Sequence, residues 1–237
     1  MVDAISIGEM LVEFCPTDIK ESLKDARSMD KFVSGAPVIT AIALSRLGLK
    51  TGYVGKVGKD AFGDAIVERL KNEQIDVSHI ARSEYPTSLA FVEPDVPGIR
   101  EKRRFIFYLK EEASGRLSEE DIDEDYIGGA KAIHFPGSAL SLTESATSAV
   151  YKAVKIAKKH GVIVSFDPNV RLELMGLEEI KRTYKRFFPL SDIVQPNLDE
   201  AKILFDVKNE MEAADAILEC GAKYAAVSYT HLTLPTN

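Results

Sequence analysis

Two groups of polar residues stand where apolar runs end. Val164-Ser165-Phe166 leads into Asp167-Pro168-Asn169-Val170-Arg171, and Ile193-Val194 leads into Gln195-Pro196-Asn197-Leu198-Asp199-Glu200. In an open α/β sheet, ligands bind beyond the carboxyl ends of the strands, so two adjacent strand ends of this kind point to one site. Pro168 holds Asp167 extended, and Arg171 then lies just past the strand end, where a guanidinium can neutralise phosphate charge through directed hydrogen bonds. Asn197 and Glu200 share a face at the start of a helix, whose dipole favours the glutamate charge. An amide and a carboxylate so placed can hold waters on Mg²⁺ beside a nucleotide phosphate. The same residues also carry structural readings. Asn197-Leu198-Asp199-Glu200 has the pattern of a capping box, and Asp167 with Arg171 can be an ion pair fastening a loop. On the residues alone both readings stay open.

The elements that must position these groups alternate between strand and helix. Residues Ala4 to Phe14 read as one strand, with Gly8 allowing a bulge or a close backbone approach. Glu9 and Glu13 read first as solvent-facing residues near its end, with ligand-hydroxyl acceptor as the alternative. Lys31-Phe32-Val33 is a short strand. Ser34-Gly35-Ala36-Pro37 opens an amphipathic helix with Ile39, Ile42, Ala43, Leu44 and Leu47 inward and Gly48 at its end. Small residues at its start let a ligand approach the backbone. Residues 51–63 hold four glycines but no Gly-Lys-Ser/Thr, which excludes a P-loop. Asp60 caps the next helix. Thr87 to Pro94 and Arg103 to Leu109 predict an antiparallel hairpin, which with the Phe32 region makes a small β lid. Lys102, Arg103 and Arg104 read as a solvated basic face. Strands then follow at Lys131–Pro136, Val162–Phe166 and Ile193–Val194. Helices follow at Thr143–His160, Leu177–Phe188, Leu198–Phe205 and Met211–Leu218. Lys223 to Val227 starts a further buried strand. The alternation implies a mostly parallel sheet with helices on both faces.

Composition narrows the function. A net charge of −7 argues against a nucleic-acid-binding surface. Neither a signal peptide nor an apolar run long enough to span a membrane is visible, so a cytoplasmic protein is the expectation. Cys15 and Cys220 form no disulfide framework. The four histidines are scattered, which speaks against zinc. Ser138 in Pro-Gly-Ser-Ala-Leu lacks the nucleophile elbow of a serine hydrolase.

Four stretches together resemble the ribokinase-like family of carbohydrate kinases: GEMLVEF (8–14), SGAPVITAIALSRLG (34–48) with VGKVGKDAFG (54–63), FDPNVR (166–171) and PNLDEA (196–201). The resemblance covers residues 1 to 227, in the branch of 2-keto-3-deoxygluconate kinases and fructokinase-like enzymes. It implies a three-layer α/β sandwich in one domain, 1–227, with a β lid from about 16–34 and 86–110. It implies transfer of the ATP γ-phosphoryl group to a sugar hydroxyl, with Mg²⁺. The sugar would meet Glu13, Gly35, Ala36, Ile39 and, from the lid, Tyr108. Asn169, Arg171, Asn197 and Glu200 would face ATP and the metal, Glu200 through water. A homodimer through the lid strands is compatible with such kinases. The chain departs from the family at three places. Ile39 stands where an asparagine is common, and Leu109 where keto-acid kinases often carry arginine, leaving Lys110 as a substitute and favouring a neutral ketose or hexose. The family's catalytic base, an Asp in a Gly-x-Gly-Asp turn, has no counterpart after Glu200. Residues 228–237 read as a non-native tail, since one codon choice for residues 227–236 resembles sequencing adapter. The expectation is therefore an N-terminal fragment, lacking its C-terminal part and inactive alone. Two other classes remain open: a non-catalytic sugar- or nucleotide-binding protein of this fold, and a dinucleotide-dependent oxidoreductase, which the missing Gly-x-Gly-x-x-Gly disfavours.

Overall fold

The pleat of one long sheet sorts this chain into a dry face and a partly polar face. The structure, a computed structural model, describes residues 2–228. Its strands in chain order are β1 (Ala4–Ile7), β2 (Leu11–Pro16), β3 (Met29–Ser34), β4 (Thr51–Gly58), β5 (Asp76–Ser83), β6 (Ser88–Glu93), β7 (Arg104–Tyr108), β8 (Ala132–Pro136), β9 (Ile163–Asp167), β10 (Ile193–Val194) and β11 (Tyr224–Ala225). The helices are α1 (Ala36–Arg46), α2 (Ala61–Asn72), α3 (Glu124–Gly128), α4 (Gly137–Leu140), α5 (Glu144–His160), α6 (Leu177–Tyr184), α7 (Leu198–Phe205) and α8 (Glu210–Glu219). The main sheet runs β11-β10-β9-β8-β1-β4-β5, with every adjacent pair parallel. Strand order reverses at β1, which has β4 on one side and β8 on the other. That switch point is where open α/β sheets leave a crevice at their carboxyl edge.

Alternate residues feed the two faces. Ile5, Ile7, Ile133, Phe135, Val164, Phe166 and Val194 join one core with α5 and with residues of α6 and α8. The intervening Ser6, His134, Ser165 and Gln195 lie on the opposite face. There α1 and α2 pack through Val38, Ala41, Ile66 and Leu70. Helices thus occupy both faces, as the alternation implies.

Gly8 splits the expected Ala4–Phe14 strand into two strands of two different sheets. Its φ of +146° turns the chain out of the parallel sheet, and a Cβ there would stand 3.0 Å from Ala139 Cβ and Pro37 Cγ. The second sheet, β3-β2-β6-β7, is the lid. β6 and β7 form the expected antiparallel hairpin, and β3 pairs antiparallel with β2.

Other expectations are corrected. Strand β5, on the sheet edge, has no counterpart among the expected elements, because its many polar residues hide the pattern of a buried strand. Helix α1 buries Pro37, Val38 and Ala41, while Ile39 and Leu47 are exposed. Apolar residues surround this helix, so periodicity could not choose its inner side. The helix expected to reach Phe188 stops at Tyr184 and gives way to a 3₁₀ turn at Phe188–Leu190. The buried strand expected from Lys223 is a two-residue edge strand with Tyr224 exposed. The reading of residues 228–237 lies outside the described residues except for Ser228. Its N–H donates to Pro196 O (3.0 Å) and its carbonyl accepts from Leu198 N–H (3.0 Å).

Candidate active site

The lid closes over the switch point and leaves a cleft of about 350 Å³ between itself and the carboxyl edge of β1, β8 and β9. Glu9, Ser138, Asp167 and Asn169 lie on the sheet side. Gly35, Ala36, Ile39 and Thr40 from the start of α1 form one wall. Leu11, Glu13, Phe105, Phe107 and Leu109 of the lid form the roof, with Arg103 and Arg171 also lining the cleft. Gly35 is needed at the wall: its φ is +119°, and a Cβ would stand 2.7 Å from the Glu9 carbonyl oxygen. The sequence-predicted Glu13, Gly35, Ala36 and Ile39 are thereby brought together.

Tyr108 is not with them. β7 alternates, so Phe105 and Phe107 point into the cleft while Ile106 and Tyr108 point away and are about half exposed. Tyr108 packs edge-on against Phe91 on the lid's outer face, ring centroids 6.0 Å apart. The expected roof was one residue out of register, which moves a side chain to the other face. The signal that could have found Phe107 was the stripe Arg103, Phe105, Phe107, Leu109.

Glu9, read first as solvent-facing, is 3% exposed. Its Oε1 accepts from Ser138 Oγ at 2.6 Å, and its Oε2 has no hydrogen-bond partner among the described residues. Burial pushes its pKa up to about 7, opposed by the Ser138 hydroxyl and the Arg171 charge. Asp167 is also raised, to about 6, by burial and by the neighbouring Glu200 charge, with the Asn169 N–H and Arg171 opposing. Two poorly solvated carboxyls therefore face one cleft with hydroxyls and an aromatic roof. Such a lining suits a small polyhydroxylated molecule, which needs both acceptors and apolar cover.

A second cleft of about 290 Å³ opens beside the first, lined by Val170, Arg171, Leu172, Glu173, Asn197, Asp199, Glu200 and Ile203. Here the two strand-end turns meet. Asn197 caps α7, its Oδ1 accepting from Glu200 N–H at 2.9 Å, and Glu200 Oε2 accepts in return from Asn197 N–H at 3.0 Å. The capping box is present. Glu200 does more than cap: its Oε1 accepts from Val170 N–H at 2.9 Å and so ties the β9 turn to the start of α7. Burial raises its pKa, while the Asn197 and Val170 N–H groups and Arg171 hold it down. Arg171 is not paired with Asp167 by a salt bridge; its guanidinium lies 5.6 Å from the Phe105 ring centroid. Arg171 is the one residue that lines both clefts. Asn169, expected at the phosphates, lines the first cleft, with φ +36° and its buried Oδ1 unpartnered among the described residues.

No group of three or more His, Cys, Asp or Glu side chains among the described residues could hold a metal ion directly. The oxygen donors Asn197, Asp199 and Glu200 fit a Mg²⁺ that keeps water and phosphate oxygens as its ligands. The strand–glycine–helix unit of a dinucleotide fold is absent at β1, which runs through Gly8 into a lid strand instead. Among the described residues no helix is long and apolar enough to cross a membrane.

The profile of the pfkB family carbohydrate kinases matches residues 1–230. The chain belongs to the pfkB family of carbohydrate kinases. It is 35% identical over 222 residues to 5-dehydro-2-deoxygluconokinase of Clostridium perfringens, aligning 93% of this chain with 64% of that protein. It is 36% identical over 202 residues to fructokinase-2 of Solanum lycopersicum, aligning 84% of this chain with 60% of that protein. The pfkB-family chain thus spans less than two thirds of the length of either relative. A candidate ribokinase II from E. coli, solved with ATP and Mg²⁺, superposes with a TM-score of 0.86 at 31% identity, covering 97% of this chain and 73% of that one.

Proposed function

We propose that this chain carries the sugar cleft and part of the nucleotide rim of an ATP-dependent sugar kinase. The single observation that carries the reading is Arg171. It lines both clefts, and Glu200 fixes the turn before it through the Val170 N–H. A guanidinium so held can meet a phosphoryl group as it passes from the second cleft to a hydroxyl in the first. Glu13, Ser34 and the floor carboxyls orient that hydroxyl, and the aromatic roof limits water. ATP supplies the γ-phosphoryl group and Mg²⁺ helps neutralise its charge. Asn197, Asp199 and Glu200 hold the waters of that ion.

Removal of the acceptor proton needs a general base. By family resemblance it belongs in a Gly-x-Gly-Asp turn, and no such turn follows Glu200 in the 237 residues. The chain alone is therefore expected to bind ligands without turnover. Calorimetric titration with ATP–Mg²⁺, beside an ADP-release assay, tests both parts. Arg171→Ala should weaken nucleotide binding about tenfold or more, the size of a lost charge-assisted hydrogen bond. Equal affinity in the wild type and the variant ends the proposed role of Arg171. ADP release above background ends the expectation of inactivity alone. Pairing of two copies through the lid, whose Ile106 and Tyr108 are about half exposed, is checked by light scattering; a monomer at all concentrations excludes it.

A further inference from the structure

A buried polar atom without a partner calls for one. Glu9 Oε2 and Asn169 Oδ1 are both buried and both lack a hydrogen-bond partner among the described residues, and both side chains line the sugar cleft. The two atoms differ in kind. An amide oxygen only accepts, so Asn169 Oδ1 needs a donor. A carboxyl accepts or donates according to its proton, and one oxygen of Glu9 is already committed. Ser138 Oγ, from α4, donates to Glu9 Oε1 at 2.6 Å. In the neutral acid the proton then sits on Oε2, the oxygen without a partner.

Resting on the sugar-kinase reading, we propose that Glu9 binds the sugar as a hydrogen-bond donor: its protonated Oε2 donates to a sugar oxygen, and Asn169 Oδ1 beside it accepts from a sugar hydroxyl.

The surroundings keep the proton on Glu9 without taking it up. The side chain is 3% exposed, and burial places its pKa at about 7. From the β9 turn, Arg171 favours the carboxylate and Asp167 opposes it. From β4, Tyr53 donates its hydroxyl to the Glu9 backbone carbonyl at 3.0 Å, not to the carboxyl, and burial keeps that phenol protonated. From α6, the Tyr184 hydroxyl pairs with Ser141 at 3.2 Å, and burial keeps it protonated too. From the lid, Glu13 and Arg103 face the same cleft, Glu13 held by the Ser34 hydroxyl at 3.1 Å. The start of α1 adds Thr40, which does not titrate. The neutral acid thus has a free donor and the ionised acid a buried, poorly solvated charge. With only the neutral form competent, the competent fraction falls about tenfold between about pH 6 and about pH 8.

The test is calorimetric titration of the 237-residue chain with D-fructose and with 5-dehydro-2-deoxy-D-gluconate, neither of which titrates in this range. The proteins are the wild type, Glu9→Gln and Glu9→Leu, with circular dichroism and ATP–Mg²⁺ binding as checks on folding. Glutamine keeps an acceptor for Ser138 and a donor for the sugar, and it carries no proton to lose. Leucine removes the charge and the donor together, which separates a lost hydrogen bond from a lost repulsion. Glu9→Gln should match the wild type near pH 6 and bind sugar about tenfold more tightly than the wild type near pH 8. Asp167, raised to about 6, titrates in both proteins, so their ratio reports Glu9. Glu9→Leu should bind sugar about tenfold more weakly than Glu9→Gln near pH 6. Identical pH curves for the wild type and Glu9→Gln, or leucine binding as well as glutamine, would overturn the donor role and leave the sugar-kinase reading standing. Wild-type affinity that rises with pH, with the rise absent in Glu9→Gln, would make Glu9 an acceptor and overturn it as well. Failure of both sugars to bind any of the proteins, with ATP–Mg²⁺ still bound, would remove the sugar cleft itself and this inference with it.

Discussion

Replacing Glu9 by glutamine isolates the energetic cost of the buried floor of the cleft. Glu9 Oε1 takes a hydrogen bond from Ser138, its Oε2 takes none among the described residues, and burial lifts its pKa from the ordinary 4.5 to about 7. A carboxyl with a raised pKa holds its proton more tightly in the folded chain than in the unfolded one. The stability it contributes is therefore fully present below pH 4.5 and is lost as pH rises through 7. Between pH 5 and pH 8 the wild type should lose about 2–3 kcal/mol from this group alone. Glutamine matches the protonated carboxylic acid in shape and does not titrate. Glu9→Gln should then resemble the wild type near pH 5 and be more stable by about 2–3 kcal/mol at pH 8. Urea denaturation of both proteins across this range measures the difference. Asp167, whose pKa is raised to about 6, drives the same trend in both proteins, so the gap between the curves reports Glu9. Parallel curves would refute the reasoning, because they would mean that Glu9 is ionised throughout and that Oε2 has a partner.

Glu200→Ala strands the N–H groups of Val170 and Asn197 in a site where the side chain is 8% exposed. A loss of about 3 kcal/mol is expected in urea denaturation, with Glu200→Gln recovering part of it through its remaining carbonyl. A loss below about 1 kcal/mol for alanine would show that water replaces the carboxylate without cost. In the lid, Phe107→Ala should weaken sugar binding at least about fivefold, through lost apolar cover, while Tyr108→Ala should leave it unchanged. The reverse order in a titration would mean that the lid turns its other face to the ligand.

Several parts of the site were legible because they are local. The capping pattern at Asn197 and Glu200 needs only residues three apart, and it is present. Asp60 caps α2 as its position before the helix suggests. The two strand-end turns were recognisable by their chemistry, and the structure joins them through one carboxylate. The rest depended on distant packing. Glu9 looks like a strand-end acid until Ser138, 129 residues away, is placed against it. Arg103 looks like part of a solvated cluster until the alternation of β7 separates it from Arg104. Ile39 was found at the cleft but assigned to the inner side of α1, because an apolar residue beside a cavity looks like a core residue in a periodic pattern.

By itself the sequence determined most of the alternation of strands and helices, the parallel sheet that repeated βα units require, the antiparallel hairpin, the caps and the polar turns at the strand ends. These follow from backbone preferences and from hydrophobic periods acting over a few residues. Only the tertiary structure decided that the first strand divides between two sheets at Gly8, that Phe107 rather than Tyr108 roofs the cleft, that Glu9 is dry, and that Arg103 and Arg171 line the same cleft. The physical reason is common to all four. Which side of a strand is buried depends on what packs against it, and a shift of one residue reverses the answer.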